Sequence, residues 1–396
     1  MVNLSERMIA LGTARSEIRE AFEFGKSRAA VVGAENVFDF SIGNPSVPAP
    51  DSVGELLQEL LAKEDPVALH GYTSAQGDAE ARRQMAEDLN SRFGTSYDGD
   101  CLYLTAGAAG ALCCTLAAMA CPGDEFMVFA PYFPEYKVFV EGVGGTLVEV
   151  PAETEGFQID FDAFEARITP AAKAVIVNSP NNPSGTVYAP ETLTRLGEIL
   201  RKKSAEYGHP IWLISDEPYR EILYTERSLP WIPQYYANTV VCYSFSKSLS
   251  IPGARIGYVL VPPEAEESRL LYAAVCGAGR SLGYVCAPSL FQFVAGRCCN
   301  QTAEIAVYRK NRDLLLEAFR EMGIFCVEPK GAFYLFPRSL EPDARAFCER
   351  AKKYDLLIIP GDGFGCPGHV RISYCVPTER VERAIPRFRQ LAEEYR

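Results

Sequence analysis

The sequence predicts an α/β protein with a large domain built on a doubly wound, mostly parallel sheet and a smaller α+β domain. From about residue 100, short β-branched runs alternate with helical stretches, as in successive βαβ units. Several runs are apolar throughout, which is typical of strands covered by helices on both faces. The 396 residues exceed what one hydrophobic core usually holds, which favours two domains.

The strands predicted for the large domain are short runs rich in apolar residues: 101–104, 125–129, 146–150, 174–178, 211–215, 240–244 and 256–261. Helices are predicted between them at 108–120 and 190–207. The second begins with a proline in its first turn and ends before Gly208, the residues preferred at those positions.

The pattern changes after Pro288, where a long helical region over 289–322, broken near 298–301, begins. A hairpin of 324–327 with 332–336, a helix at 344–353, two further strands and a terminal helix at 378–396 follow. A polar helix over 6–26 is expected to pack with this part. The predicted domains are therefore 46–290 for the large one, and 1–45 with 291–396 for the small one.

Charge and composition exclude several classes of partner. The net charge of -12 and the pI near 5.0 disfavour nucleic acid and anionic membranes, which need clustered cations. The N-terminus is charged where a signal peptide needs an apolar core, and no apolar run is long enough to span a membrane. We therefore expect a cytoplasmic protein.

The cysteines and histidines do not form a metal-binding pattern. The 13 cysteines are odd in number and lack a CxxC spacing, and the three histidines are far apart. No metal is expected. The scarcity of histidine also means that another residue type must act as general base.

Polar side chains follow three successive predicted strands at their carboxyl ends. The first strand leads into a turn that contains Asn182, the second into Asp216 and Tyr219, and the third into Lys247. Ligands of open α/β sheets bind beyond the carboxyl ends of the strands, so these side chains are expected at one edge of the sheet. An amine there suits a Schiff base to an aldehyde.

These residue types suit pyridoxal 5'-phosphate (PLP). The Lys247 amine can form the covalent bond, and a carboxylate such as Asp216 can keep the ring nitrogen protonated. A phenol and an amide can bind the ring's phenolic oxygen, while Ser244 and Arg255 can hold the phosphate. Each also has a plain structural interpretation: Lys247 as a surface lysine, Asn182 as a turn residue and Asp216 as a helix cap.

Small residues at 104–110 join another predicted strand directly to a helix. They let backbone N–H groups approach an anion at the helix N-terminus. The segment lacks the Gly-Lys-Ser/Thr of a nucleotide-binding P-loop and does not match GxGxxG. Tight packing between strand and helix is the plain structural alternative.

Taken together, the chain resembles the class I/II, aspartate-aminotransferase-like PLP-dependent aminotransferases. The resemblance covers nearly the whole chain, and its motifs come in the family's order: SIGNP at 41–45, GY at 71–72, TAGAAGAL at 105–112, PYF at 131–133, NNPSG at 181–185, DEPY at 216–219, SFSKSLSIPGARIG at 244–257, KGAFY at 330–334 and VRIS at 370–373.

The resemblance implies the PLP-dependent transferase fold and a role for each matching residue. Lys247 matches the Schiff-base lysine, Asp216 the partner of the ring nitrogen, and Tyr219 with Asn182 the ligands of the phenolic oxygen. The other implied cofactor contacts are the stacking residue Phe133 and the phosphate-binding residues Gly107, Ala108, Ala109, Ser244 and Arg255. Ala108 and Ala109 depart from the family, where many members carry polar side chains, so backbone N–H groups must do more.

Further matches concern the substrate and the partner subunit. Arg371 matches the arginine that binds the substrate α-carboxylate, assisted by Gly43 and by Asn182. A guanidinium suits this task because it binds a carboxylate through two parallel hydrogen bonds. Tyr72 matches a tyrosine that reaches the cofactor phosphate of the neighbouring subunit, which implies a homodimer.

The predicted activity is ping-pong transfer of an amino group from an L-amino acid to a 2-oxo acid, with Lys247 moving the α-proton. A C–S β-lyase or a decarboxylase of the same fold is the alternative. A non-catalytic PLP-binding sensor is disfavoured, because no DNA-binding domain precedes the matching region. Specificity stays open: Arg280 and the N-terminal arginines Arg15, Arg19 and Arg28 are candidates for binding a distal carboxylate, or are structural.

Overall fold

The computed structural model describes residues 4–13, 17–225 and 229–396. Its helices, in chain order, are α1 Glu6–Thr13, α2 Glu17–Val32, α3 Asp51–Lys63, α4 Pro66–His70, α5 Ala79–Phe93, α6 Gly107–Met119, α7 Glu135–Gly142, α8 Phe161–Glu165, α9 Pro190–Tyr207, α10 Phe245–Ser248, α11 Ser268–Ser281, α12 Ser289–Arg297, α13 Ala306–Met322, α14 Ala344–Ala351 and α15 Thr378–Glu393.

The strands are β1 Phe38–Asp39, β2 Leu102–Thr105, β3 Glu125–Phe129, β4 Thr146–Val150, β5 Ala172–Asn178, β6 Trp212–Asp216, β7 Thr239–Ser244, β8 Gly257–Leu260, β9 Tyr334–Leu335, β10 Leu356–Leu357, β11 Ile359–Pro360 and β12 Val370–Ser373. Among the helices of the described residues, none has the length and apolar character needed to cross a membrane.

The chain divides into two compact units. We call 45–306 with 328–332 the large unit, and the small unit comprises 1–44, 307–327 and 333–396. The domain limits expected from the sequence, at 45/46 and 290/291, stay a prediction.

A seven-stranded sheet in the order β2-β8-β7-β6-β5-β3-β4 forms the large unit. All neighbouring strands pair in parallel except β8, which runs antiparallel to β2 and β7. Helices α6, α7 and α11 cover one face of the sheet in one hydrophobic core. Helices α3, α4, α5 and α12 cover part of the other face, and α8 and α9 the rest. The predicted α/β fold with a doubly wound, mostly parallel sheet is confirmed.

The small unit contains two short sheets. Strand β1 pairs in parallel with β10, and β11, β12 and β9 form an antiparallel sheet in that order. Phe40 and Phe319 both contact Phe388 of α15, at ring-centroid distances of 5.9 and 5.3 Å. These buried rings join the amino-terminal segment to the carboxyl-terminal helix.

The structure corrects two predictions from the sequence. The hairpin of 324–327 with 332–336 is wrong, because β9 pairs with β12 and no strand forms over 324–327. The single helix predicted over 6–26 is two helices, α1 and α2, separated by residues 14–16, which lie outside the described residues. Arg15 falls in that gap.

Candidate active site

Three neighbouring parallel strands of the large unit end side by side. Asn178, the last residue of β5, is in register with Asp216, the last residue of β6. Strand β7 ends at Ser244, and the short helix α10 that follows carries Lys247, which is half-buried. The parallel sheet therefore brings the ends of β5, β6 and β7 to one edge, as predicted.

Local hydrogen bonds fix the start of helix α10 and with it the position of Lys247. The Ser244 hydroxyl accepts a hydrogen bond from the Ser246 N–H at 3.2 Å, which is a helix N-cap. The same hydroxyl donates to Ser246 Oγ at 2.8 Å. Lys247 thus lies one helical turn after Ser244, which is both the last residue of β7 and the N-cap of α10.

Asp216 is the most informative side chain at this edge. One carboxylate oxygen, Oδ2, accepts a hydrogen bond from the Tyr136 hydroxyl at 2.5 Å. The other, Oδ1, is buried and has no hydrogen-bond partner in the structure. Buried acceptors are rarely left unmet, so this oxygen calls for a donor supplied by a ligand.

Burial also determines the charge of this carboxyl group. Desolvation raises the pKa of Asp216 to about 7, the Tyr136 hydrogen bond offsets part of the rise, and the nearby charge of Glu217 adds to it. A positively charged donor beside Oδ1 would favour the anion. The group is therefore suited to a protonated ring nitrogen.

Asn178 links two parts of the edge through its side chain. Its Nδ2 donates to the main-chain oxygen of Asp216 at 2.8 Å, and its Oδ1 accepts from the Asn182 N–H at 2.7 Å. Asn182 and Tyr219 are both buried. Phe133 lies edge-on to Tyr136, with ring centroids 5.7 Å apart and an interplanar angle of 87°. Asn182, Tyr136 and Phe133 are thus connected to Asp216 directly or through one intervening residue.

The start of helix α6 is shaped by a glycine. Gly107 has a φ of +79°, and a Cβ atom there would lie 2.8 Å from Arg255 Nη2. Arg255 also has a positive φ, of 54°, and its guanidinium donates to the Ala106 oxygen at 3.1 Å and to Ser246 Oγ at 3.4 Å. Ala108 is half-buried and Ala109 exposed. The helix N-terminus and the guanidinium together suit an anionic group.

The small unit holds an arginine of a different kind. Arg371 lies on β12, is 2% exposed, and donates to the main-chain oxygen of Ser41. Its guanidinium carbon lies 5.1 Å from the ring centroid of Tyr334 and 5.0 Å from that of Phe364. Any side chain at Gly43 would overlap the Tyr334 hydroxyl. Such a held, planar cation suits a carboxylate.

The residues predicted to act at the subunit interface or on a distal carboxylate are mostly exposed. Tyr72 is 90% exposed, and Arg280 and Arg19 are exposed as well. Arg28 forms an ion pair with Asp355 at 2.5 Å, so this candidate for a distal carboxylate already has a protein partner.

Sequence reasoning missed Tyr136. The available signal was its position three residues after Phe133, one helical turn along, which places both rings near one another. Nothing in the sequence pointed to its bond with Asp216. Across residues 4–13, 17–225 and 229–396, no group of three or more His, Cys, Asp or Glu side chains could hold a metal ion.

Chemically, the large unit offers complementary groups for PLP. A half-buried lysine suits an aldehyde, an unmet buried carboxylate oxygen suits a protonated pyridine nitrogen, and a helix N-terminus with a guanidinium suits a phosphate. The residues present therefore fit this cofactor.

Known proteins are similar to this chain in sequence and fold. A family model described as aminotransferase class I and II matches residues 35–388. An aspartate aminotransferase of Thermotoga maritima is 30% identical over 368 residues, which is 91% of this chain and 93% of its own. An aspartate/prephenate aminotransferase of Thermus thermophilus is 32% identical over 351 residues, covering 87% and 88%. An amino transferase structure from Eubacterium rectale matches with a TM-score of 0.98 and 57% identity over 100% of both chains.

Proposed function

The chain belongs to the class I and II aminotransferases, and on that basis we propose that it transfers amino groups in a ping-pong reaction on PLP bound by Lys247. Amino-group transfer is the activity of the family. The observation that carries the cofactor assignment is the buried Asp216 Oδ1, which lacks a partner at the edge where the next strand leads to Lys247.

We assign the cofactor contacts to residues of the large unit. Asp216 would hold the ring nitrogen, Tyr219 and Asn182 the phenolic oxygen, and Phe133 one ring face. The proposed phosphate contacts are Gly107, Ala108, Ala109, Ser244 and Arg255. When bound, PLP supplies an electrophilic aldehyde carbon and a ring that withdraws electrons from the substrate α-carbon.

Lys247 has two tasks in this proposal. Its amine holds the cofactor between turnovers, and its Nζ then takes the α-proton of the amino acid. The sequence offers few other bases, since its three histidines are His70, His209 and His369, none of them at the strand ends just described. A neutral amine is required, and the cation of Arg255 favours it.

Arg371 would bind the α-carboxylate of the substrate, and Asn182 would assist. Fixation by Ser41 and two aromatic rings limits its rotation, so its binding geometry is preorganised. Because Gly43 has no side chain, it leaves room for the Tyr334 hydroxyl. The names of the relatives make aspartate the first amino acid to test.

We also propose a homodimer to which Tyr72 contributes. Tyr72 and Val67 are 90% and 79% exposed, and Val285, also in the large unit, is 62% exposed. We assign these exposed side chains to the proposed interface. A monomer at micromolar concentration in sedimentation equilibrium would contradict this assignment.

The decisive experiment is chemical trapping at Lys247. Reduction of the PLP-loaded protein with borohydride, followed by peptide mapping, should find the pyridoxyl label at Lys247. Lys247→Ala should lose the label and at least ~10³-fold in kcat for transfer from aspartate to 2-oxoglutarate, because it removes both the covalent link and the base. Lys202→Ala, an exposed lysine of α9, is the matched control and should behave as wild type.

Three outcomes would count against the proposal. A label at another lysine would overturn the assignment of Lys247. Wild-type multiple turnover by Lys247→Ala would overturn the mechanism. Release of pyruvate and thiol from cystathionine, without amino transfer from any amino acid, would support the lyase alternative instead.

A further inference from the structure

The side chain of Tyr136, on helix α7, contacts the buried carboxylate of Asp216 at the end of β6. Tyr136 lies in the first turn of α7, where its N–H donates to the Phe133 oxygen at 3.0 Å. The side chain is 1% exposed and belongs to the core formed by α6, α7 and α11. Its hydroxyl donates to Asp216 Oδ2 at 2.5 Å. The phenol and the carboxylate thus form a buried, charge-assisted pair.

We propose that Tyr136 is a positioning residue for the cofactor: its hydroxyl holds Asp216 as an oriented anion, so that Oδ1 is the oxygen left for the ring nitrogen. This inference rests on the proposed function, because it assumes that PLP binds beside Asp216. It goes beyond that function by assigning the protonation of the ring to a residue outside the cofactor contacts.

The hydroxyl keeps its own proton in this pair. Burial and the adjacent Asp216 charge raise the pKa of Tyr136 well above its ordinary value of 10, whereas the carboxyl titrates far below it. With PLP bound, Tyr136 therefore remains the donor and Asp216 the acceptor, because a protonated ring nitrogen beside Oδ1 favours the anion. A donor lost from one oxygen of a buried carboxylate makes the anion less stable.

Other titratable groups around the pair do not replace that donor. The Glu217 charge opposes ionisation of Asp216, and Cys242 on β7 stays neutral because burial raises the pKa of its thiol well above 9. The Cys242 sulfur lies 3.4 Å from the Thr115 hydroxyl. Tyr219 interacts with Tyr136 but raises rather than lowers the pKa of that phenol. Unlike Glu217 and Cys242, Tyr136 stabilises the anionic form of Asp216.

Tyr136→Phe isolates the hydroxyl because the ring keeps its core packing and its edge-on contact with Phe133. The readout is the protonation of the ring nitrogen, followed by the ¹⁵N chemical shift of labelled PLP bound to the enzyme. A hydrogen bond to a charged group contributes enough to change an equilibrium about tenfold or more, so the ring nitrogen should lose its proton at least about one pH unit lower in the variant.

Two further measurements accompany the spectrum. The dissociation constant of PLP should rise about tenfold, and kcat should fall about tenfold while KM for the amino acid stays within about twofold, since Arg371 is untouched. Tyr136→His, which retains an N–H donor, should recover most of the loss. Tyr132→Phe is the matched control: Tyr132 is also buried in this segment, and its hydroxyl is associated with Glu149 rather than Asp216.

The outcomes separate the two proposals. If wild-type protein binds no PLP, the proposed function fails. If wild type binds PLP but Tyr136→Phe leaves the ¹⁵N titration and the dissociation constant unchanged, this inference fails alone. Should Tyr136→Phe not fold, Tyr136→Leu, which also lacks a donor, decides: a ring nitrogen that loses its proton at least about one pH unit lower supports the inference, and one that titrates as in wild type overturns it.

Discussion

Asp216 and Glu217 are consecutive carboxylates that are buried to nearly the same extent. They differ in how many of their oxygens have a hydrogen-bond partner. They are 4% and 1% exposed. Both oxygens of Glu217 are met, by the Ser215 hydroxyl and by Arg220 Nε, each at 2.6 Å. Only one oxygen of Asp216 is met. Glu217 thus has partners for both oxygens within the protein, whereas Asp216 Oδ1 is left for the proposed cofactor.

The opposite directions of the two side chains explain this difference. Successive side chains at a strand end point to opposite faces of the sheet. Asp216 therefore meets Tyr136 of one core, whereas Glu217 meets Arg220, which bonds the Tyr258 hydroxyl at 2.9 Å in the other. The guanidinium carbon of Arg220 also lies 4.3 Å from the Tyr243 ring centroid. Arg220 Nη2 has no hydrogen-bond partner, so aromatic faces supply part of its surroundings.

Removing the charge of Glu217 should have the largest effect on stability. Glu217→Gln leaves the buried Arg220 cation without its counterion, which should cost about 3–5 kcal/mol. Urea unfolding of the cofactor-free protein, followed by tryptophan fluorescence, measures this well because both tryptophans, Trp212 and Trp231, lie in the large unit. Glu59→Gln, in an exposed pair with Lys63, is the control and should change stability by less than ~1 kcal/mol. A loss of stability below ~1 kcal/mol for Glu217→Gln as well would show that the buried pair of Glu217 and Arg220 contributes no more than an exposed one.

Removing the charge of Asp216 should instead alter how stability depends on pH. A carboxyl with a raised pKa binds its proton more tightly when folded, so wild-type protein without cofactor loses stability as pH rises from about 4 to about 7. Asp216→Asn cannot lose a proton. Its free energy of unfolding, relative to wild type, should therefore rise by roughly 2–3 kcal/mol between pH 5 and pH 8. Parallel stability curves for the two proteins would contradict the assignment, and added PLP should reduce the difference.

Removing the Ser215 hydroxyl should have the smallest effect. Ser215→Ala takes one hydrogen bond from Glu217 while the Arg220 bond remains, so a loss of about 1–2 kcal/mol is expected in the same urea experiment. The effect should shrink in a Glu217→Gln background, because the hydroxyl then faces a neutral amide. An equal loss in both backgrounds would show that Ser215 stabilises the protein without Glu217.

Much of the fold followed from the sequence because strand identity is a local property. The predicted strands 125–129 and 146–150 agree with β3 and β4, and the helix 190–207 with α9, whose end at Gly208 has a φ of 76°. The predicted strands 211–215 and 240–244 agree with β6 and β7 to within one residue at each end, and so indicated the neighbourhood of Asp216 and Lys247. Their grouping follows from parallel pairing alone.

What the sequence could not predict depends on contacts between distant residues. Tyr136 meets Asp216 80 residues away, and nothing in its position after β3 indicates that partner. The antiparallel direction of β8 has no signature in its apolar run. The predicted hairpin failed because β9 finds its partner in β12 rather than in the segment before it. In each case the deciding interaction is long-range.

The assembly of the small unit from separated segments has a consequence for synthesis of the protein. Ser41 and Arg371 are 330 residues apart, and β1 pairs with β10 only after the whole large unit has left the ribosome. Meanwhile Phe38 and Phe40, both fully buried in the finished molecule, have no partners to cover them. The nascent chain therefore carries an exposed apolar segment near its amino terminus throughout most of translation, which is the kind of segment that ribosome-associated chaperones bind.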